Sequence, residues 1–245
     1  MFAIYRKELV LFLTSLTGLL AIFIFLILLG LFLWILPSDH TGTNILDNGF
    51  AQFDGLFNMA PWLYLFLIPA ITMRSISEEL KSGTIEFLLT KPLSEYAVIF
   101  AKFLAGITLV IISLIPTLFY VYTVFQLGSP RGNLDWGALC GSYLGLIMLA
   151  SVFVAVGIYC STFSDQQVTS FLLTVVISFF MYNGFDVIAS SGFLGSGDIW
   201  IKNMGISPHY ESISRGVIDI RDVVYFLTVS FLFIVLTQKR LLLKR

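Results

Sequence analysis

Six long apolar runs dominate this chain of 245 residues. A helix needs roughly 20 predominantly apolar residues to cross the hydrocarbon core of a bilayer. The runs cover residues 11–36, 56–73, 103–127, 137–160, 168–189 and 223–237. Charged residues make up 12% of the chain, against about 25% in soluble domains. The sequence therefore predicts an all-α membrane protein, with six transmembrane helices in one polytopic domain over residues 1–245.

The first ten residues, MFAIYRKELV, combine charged and apolar side chains. One interpretation is an interfacial helix that lies on the membrane before the first span. The other is a plain positive flank to that span, and the sequence leaves both open. The apolar run that follows is too long for a signal-peptide core and has no small-residue cleavage site behind it, so we expect it to be retained.

The distribution of Lys and Arg predicts the orientation. With six spans, both termini lie on one side, together with the loops 74–102 and 161–167. That side carries ten of the 14 basic residues, and the other side carries Arg131, Lys202, Arg215 and Arg221. Because cytoplasmic loops carry the excess of Lys and Arg, we expect a multi-pass protein with both termini in the cytoplasm.

The loop at residues 74–102 is the most charged stretch of the chain, and it also carries apolar residues. Glu78 and Glu79 can pair with basic residues of a partner, while Ile85, Leu88 and Leu89 recur at helical spacing and can fill a groove. Gly83 suits the end of a short helical stretch. We therefore predict a docking surface for a soluble protein. The alternative is a solvated connector whose apolar face lies on the bilayer.

Two further patterns concern helix packing and the second side of the membrane. Gly137, Gly141 and Gly145 recur at intervals of four, the spacing that lets two membrane helices approach closely, within the chain or between subunits. Asp186 lies near the end of the fifth run, where it either serves a function or simply reaches water. In the segment 190–222, Ser207 is the expected N-cap of a short helix that ends at Gly216.

Motifs for catalysis are absent from the sequence. It contains no P-loop, no H-E-x-x-H and no G-x-S-x-G. The two histidines and two cysteines form no cluster, so we expect no metal site. We also expect no cofactor, no nucleic-acid binding and no enzymatic activity. A proton-coupled secondary transporter or a channel is the alternative function, but such a carrier would be expected to show more acids or histidines in mid-span.

One motif resembles a known family. Glu78-Glu79-x-x-x-Gly83-Thr84-x-Glu86-x-Leu88-Leu89-x-x-Pro92, followed by Lys102-Phe103-Leu104-Ala105-Gly106, is similar to the coupling segment of type-2 ABC transporter permeases. The pattern from Ser207-Pro208 to Tyr225-Phe226 is similar to the same family's segment before the last span. Among these permeases, the chain most resembles the gliding-motility-associated subunit (GldF type).

The resemblance implies a permease subunit of an ATP-binding-cassette exporter in the bacterial inner membrane. Two permeases, identical or sister subunits, would surround the path through the lipid, with two soluble ATPase subunits below. A cytoplasmic coupling helix between spans two and three would dock on the ATPase through Glu78, Glu79, Gly83, Thr84, Glu86, Leu88 and Leu89. The family also implies re-entrant helices between spans five and six, in residues 190–222. ATP hydrolysis would drive export or a mechanical change in gliding machinery.

Overall fold

The computed structural model describes residues 1–37, 43–49, 52–84, 94–190 and 198–243. These residues form helices and their connections, and they contain no strand. The helices are α1 (Phe2–Thr14), α2 (Leu16–Gly30), α3 (Ile45–Asn48), α4 (Asp54–Thr72), α5 (Ser77–Lys81), α6 (Glu95–Leu114), α7 (Leu118–Leu127), α8 (Trp136–Ser161), α9 (Gln167–Phe179), α10 (Phe185–Ser190), α11 (Asp198–Lys202), α12 (Ile206–Ser214) and α13 (Ile220–Leu242). The all-α prediction is confirmed.

Six helical stretches in the described residues are long and apolar enough to cross a membrane. They are Leu16–Ile35, Asp54–Lys81, Glu95–Leu127, Trp136–Ser161, Gln167–Ser190 and Ile220–Leu242. The predicted number of spans is therefore confirmed. Below, the end of the bundle that holds both chain termini is called the terminal end, and the opposite end is called the far end.

The first apolar run is not one helix. It divides at Ser15, whose backbone is extended (φ −80°, ψ 134°) and whose Oγ accepts a hydrogen bond from the Gly18 amide at 3.1 Å. Residues 11–14 therefore belong to the N-terminal helix α1, four residues beyond the predicted boundary. An N-cap serine accepts a hydrogen bond from an amide that has no partner within the new helix. This local signal divides a run that is continuous in its hydropathy.

The third span begins earlier than predicted. Helix α6 starts at Glu95, not at residue 103, and the Ser94 hydroxyl accepts a hydrogen bond from the Ala97 amide at 3.3 Å. Capping and backbone hydrogen bonds set the start of a helix, whereas the predicted boundary followed the last charged residue. Lys102 consequently lies two turns inside the helix, where it was expected at the end of a loop.

Helix α8 lies at the centre of the bundle. Of its apolar stretch, 72% is buried within the protein, against 22%, 17% and 28% for the first, fifth and sixth spans. It packs against α4, α6, α9, α12 and α13. The outer faces of the first, fifth and sixth spans are consequently open to lipid or to another subunit.

Two short helices, α11 and α12, occupy the place predicted for re-entrant helices, and re-entry itself stays a prediction. Helix α12 begins at Ile206 with Gly205 as its N-cap, so the prediction of Ser207 as the cap is wrong. Pro208 still lies in the first turn, where a missing amide hydrogen breaks no helical bond. Gly216 follows the helix with φ +82°, as expected of a residue that ends it.

Candidate functional site at the terminal end of the bundle

A buried lysine joins three helices at the terminal end. The Lys102 ammonium donates to Glu8 Oε1 at 2.7 Å, to Glu79 Oε1 at 3.0 Å and to the Ser75 carbonyl oxygen at 2.5 Å. Because an ammonium group has three N–H donors, all of its hydrogen bonds are made. We call Lys102, Glu8, Glu79 and Ser75 the Lys102 cluster.

The charges of the cluster are largely removed from water. The side chain of Lys102 is 1% exposed, that of Glu79 is 9% exposed and that of Glu8 is 19% exposed. A fourth charge, Lys7, lies 3.5 Å from Glu79 and is 53% exposed. Two ammonium groups therefore balance two carboxylates. Such burial is tolerated only where charges are paired and hydrogen-bonded, which is the case here.

The cluster connects segments that are far apart in the sequence. Glu8 belongs to α1, Glu79 to α5 and Lys102 to α6. A hydrogen bond of 3.0 Å between the hydroxyls of Tyr5 and Thr108 adds a second link between α1 and α6. These contacts tie the N-terminal helix to both sides of the segment between the second and third spans.

Two other contacts hold the remaining spans at the same end. The Arg74 Nε atom donates to Gln167 Oε1 at 3.1 Å, which links the turn after α4 to the start of α9. The Arg240 guanidinium lies 3.8 Å from the centroid of the Phe163 ring, which links α13 to the turn after α8. Such a cation–π contact is worth about 0.5–1 kcal/mol or more. Side-chain contacts at the terminal end therefore also involve the fifth and sixth spans.

A cavity of about 480 Å³ lies beside the Lys102 cluster. Its apolar lining includes Leu11, Phe12, Ile71, Leu109 and Ile158, and its polar lining includes Lys7, Glu8, Arg74, Glu78, Glu79 and Lys102. Residues of α1 line one part of the cavity, and residues of the second and third spans line much of the rest. Close-packed interiors resist displacement, so open space next to α1 leaves room for this helix to shift.

The predicted docking residues fall into three groups. Glu78 and Thr84 are exposed, and Gly83 has φ +66°, in agreement with the expectation that it ends a short helix. Glu79 is buried in the Lys102 cluster, so its carboxylate faces an internal lysine. Ile85, Glu86, Leu88 and Leu89 lie outside the described residues.

The predicted packing glycines lie at different places on α8. A Cβ atom added at Gly141 would lie 2.9 Å from the Cα atom of Gly216, and one added at Gly145 would lie 2.6 Å from Ile213 Cγ2. A Cβ atom at Gly137 would meet only Asp135 Oδ1, at 3.3 Å. Two of the three glycines thus face the end of α12 within this chain.

The substitution Gly141→Ala is expected to destabilise the protein, with Gly137→Ala as its matched control. The new methyl group of Gly141→Ala would collide with the backbone of Gly216, and overpacking of this kind costs about 1–3 kcal/mol. At Gly137 a Cβ atom would meet only the side-chain oxygen Asp135 Oδ1, at 3.3 Å, and a small shift of that side chain relieves the contact, so a much smaller change is expected. Thermal unfolding of the purified variants in detergent measures the difference. Equal midpoints for the two variants would show that the approach of Gly141 to Gly216 is not tight.

Asp186 lies at the far end, in α10. Its Oδ1 atom is enclosed and has no hydrogen-bond partner among the described residues. The side chain lines a cavity of about 370 Å³ together with Asp198, Lys202 and Glu211. A role for this residue therefore stays a hypothesis, separate from the Lys102 cluster.

Sequence reasoning missed the Lys102 cluster. Lys102 is the only charged residue from residue 96 to residue 114. A lone charge inside an apolar helix needs a partner, so this isolation was the available signal. The partner Glu8 is 94 positions away in the sequence, and no local pattern identifies it.

Comparison with known proteins agrees with this architecture. A search of curated proteins finds none that matches the chain. The sequence model of one family, described as ABC-2 family transporter protein, matches residues 2–195, which is well over half of the chain. The match begins at α1 and includes the Lys102 cluster and the first five spans. This multi-pass membrane protein therefore belongs to the ABC-2 family of transporter proteins.

Proposed function

We propose that this chain is the transmembrane subunit of an ATP-driven exporter, and that a separate soluble ATPase drives it by pressing on residues 78–89. The Lys102 cluster is the observation that carries this proposal. Glu79 lies at the start of the segment and Lys102 lies in the helix that follows it, so a 3.0 Å ion pair joins the start of the segment to that helix. Glu8 adds α1 to the same cluster.

The Lys102 cluster restrains the start of the segment and the helix that follows it. A force on an unsupported loop would only bend the loop. Here the chain on both sides is held by a buried, fully hydrogen-bonded ammonium group, and breaking such a pair is costly. A displacement of the segment would therefore move α1, α5 and α6 together. The cavity beside α1 leaves room for that movement.

The exposure of Glu78 and the burial of Glu79 suggest different roles for these two residues. Glu78 is exposed on α5 and can meet a basic residue of the ATPase. We propose the same kind of contact for Glu86. Leu88 and Leu89 would supply the apolar contact, and Gly83 and Thr84 would shape the turn toward it. Glu79 is better explained as a positioning residue, because its carboxylate is occupied by Lys102. The proposed docking set is thus Glu78, Gly83, Thr84, Glu86, Leu88 and Leu89.

The assembly we propose contains two permeases and two ATPases. Permeases of this family generally dimerise and work with ATPase subunits. The exposed outer faces of the first, fifth and sixth spans are available to a second permease and to membrane lipids. The resemblance to the gliding-motility-associated type favours a sister subunit as that second permease and a role in gliding machinery, where hydrolysis drives export or a mechanical change.

The orientation we propose places the terminal end in the cytoplasm of a bacterial inner membrane. Single cysteines at two exposed positions, introduced as Asn133→Cys and Ser82→Cys, test it once Cys140 and Cys160 are replaced by serine. An impermeant thiol reagent added to cells with a permeable outer envelope should label the cysteine of Asn133→Cys and leave that of Ser82→Cys unmodified. Labelling of Ser82→Cys in intact cells would reverse the orientation and remove the basis for docking.

Purification of the tagged chain from native membranes tests the function. We expect an ATPase to co-purify in a particle with two ATPases and two permeases, measured by native mass spectrometry. Reconstituted vesicles then distinguish export from a mechanical role, according to whether ATP hydrolysis moves a solute. Transport by the isolated chain without an ATPase would instead indicate a self-contained transporter or channel.

A further inference from the structure

The cavity beside the Lys102 cluster is polar toward the terminal end and apolar deeper in the bundle. Helix α6 runs away from the terminal end, and it lines the cavity first with Lys102 and then with Ala105 and Leu109. Helix α4 runs in the opposite direction, and it lines the cavity with Ile71 before Arg74. On both helices the charged residue is therefore nearer the terminal end, where the spans leave the bilayer, and the apolar residues lie deeper.

The size of the cavity suits part of a lipid molecule. Its volume of about 480 Å³ lies within the range of about 300–1,000 Å³ that is usual for small-molecule pockets. Between Lys102 and Leu109 the cavity follows α6 for about 10 Å, at roughly 1.5 Å per residue. Leu11 lines the cavity and is 54% exposed, so the cavity reaches the protein surface along α1. A flexible apolar chain can therefore enter beside this helix.

Arg74 supplies a positive charge that the Lys102 cluster does not use. The two ammonium groups at the cluster balance its two carboxylates. Arg74 is half-buried, and in the described part of the chain its one hydrogen bond runs from Nε to Gln167. A guanidinium group carries five N–H donors in a planar fork that suits phosphate oxygens, so its two terminal nitrogens can still donate to an anion.

One carboxylate at the cavity mouth opposes an anion. Glu78 lines the cavity and has no ion pair within the described ranges, but its side chain is exposed. Water and dissolved ions screen the repulsion of an exposed charge. The half-buried Arg74 is screened less, so attraction to its guanidinium group determines which charge the cavity accepts.

We propose that this cavity is a phospholipid site, with the lipid phosphate at Arg74 and one acyl chain along the apolar lining. A phospholipid joins an anion at the bilayer surface to chains that extend inward, which is the order of the lining residues. Charge-assisted hydrogen bonds hold the phosphate, and burial of the chain adds apolar contact. A bound chain would be displaced whenever α1 shifts into this space, a consequence that rests on the function proposed above. Lipid binding itself does not depend on ATPase docking, so the two proposals can fail separately.

Native mass spectrometry of the protein in nonionic detergent measures the binding. The protein is titrated with dioleoylphosphatidylglycerol, with dioleoylglycerol, which has the same chains and no phosphate, and with inorganic phosphate, which has no chain. We expect a saturable site for phosphatidylglycerol that is at least about tenfold tighter than the binding of either other compound. Equal affinity for inorganic phosphate would show a simple anion site, and equal affinity for dioleoylglycerol would show apolar contact alone. Either result would overturn the proposal.

Two variants test the two ends of the site. Arg74→Gln removes the charge but keeps an amide donor for Gln167, so phosphatidylglycerol should bind about tenfold more weakly at an unchanged thermal midpoint. Ala105→Phe fills the apolar end and should also weaken binding. The control Lys81→Gln removes an exposed charge at the same end that does not line the cavity, and it should bind like the wild type. Wild-type affinity of Arg74→Gln, or an equal loss in Lys81→Gln, would contradict the site.

Photo-crosslinking locates the chain in the wild-type protein and does not depend on how a variant folds. A phosphatidylglycerol with a diazirine in one acyl chain is incorporated into vesicles with the protein, irradiated and analysed by peptide mass spectrometry. We expect crosslinks at Leu109 and Ile158, which line the cavity and are 3% and 2% exposed, so that lipid on the outer surface does not reach them. Crosslinks confined to outward-facing residues such as Val176 and Phe231, both 64% exposed, would refute an acyl chain in the cavity.

Discussion

Replacement of Lys102 by methionine is expected to destabilise the protein by about 3–5 kcal/mol, the usual cost of removing one partner from a buried ion pair. Methionine fills a similar volume, so lost packing contributes little. The cost arises because the carboxylates of Glu8 and Glu79 stay in a site that is largely closed to water. Thermal unfolding in detergent measures it, and a fall of the midpoint on the order of 10 °C is expected.

Two other variants show whether charge is the cause. Lys7→Met removes the outer ammonium group, which is 53% exposed and 3.5 Å from Glu79, so its cost should be about 0–1 kcal/mol. The triple variant Lys102→Met, Glu8→Gln, Glu79→Gln removes the three charges of the Lys102 cluster and leaves only the half-exposed Lys7, so it should recover most of the stability lost by Lys102→Met alone. An unchanged midpoint for Lys102→Met would contradict the buried ion cluster.

The number of membrane spans and the all-α class could be predicted because hydropathy alone determines them. A run of about twenty apolar residues has few stable alternatives to a membrane-spanning helix. The helix boundaries were harder to predict because they depend on capping residues. Ser15 divides the first apolar run and Ser94 starts the third span, and neither position stands out in a hydropathy profile.

The Lys102 cluster was not predicted, whereas one local feature beside it was. Gly83 was expected to end a helix, and it does so with φ +66°. The expected role of Glu79 in partner contact was less well founded, because a glutamate in a charged loop gives no sign that it will be buried. Its partner Lys102 lies 23 positions away in the sequence. Pairings of this kind follow from helix packing, which a single sequence does not reveal.

His209, at the far end, is another residue whose contact could not be predicted from the sequence. The sequence places it in a short helix, 13 positions before Asp222. Gly216 turns the chain with φ +82°, and α13 returns beside α12. This return brings His209 Nδ1 to 2.7 Å from Asp222 Oδ1. A glycine after a helix is easy to predict, whereas the direction of the chain beyond it is not.

Leu88→Asp and Leu89→Asp are expected to release the ATPase from the membrane subunit. Burying a leucine side chain is worth roughly 1.5–3 kcal/mol. Loss of that amount weakens binding about 10- to 150-fold, since about 1.4 kcal/mol corresponds to a factor of ten. A carboxylate placed in an apolar groove adds a desolvation cost. Each single variant should therefore reduce ATPase retention to a small fraction of the wild-type level.

Matched controls separate docking from folding. Glu86→Gln removes one charge from the same segment, and an exposed ion pair is worth about 0–1 kcal/mol, so retention should fall only modestly. The Leu88→Asp and Leu89→Asp proteins should keep the wild-type thermal midpoint, because we propose these residues for the partner contact and they are not members of the Lys102 cluster. Lys102→Met should instead lower both the midpoint and retention.

The most direct test of the proposed drive is the amount of ATPase that co-purifies with the tagged membrane subunit from native membranes. It is compared for the wild type, Leu88→Asp, Leu89→Asp and Glu86→Gln at equal expression and equal oligomer size. We expect wild type to retain the ATPase, Glu86→Gln to retain most of it, and both leucine variants to lose it. Retention at the wild-type level by both leucine variants would contradict docking through residues 78–89.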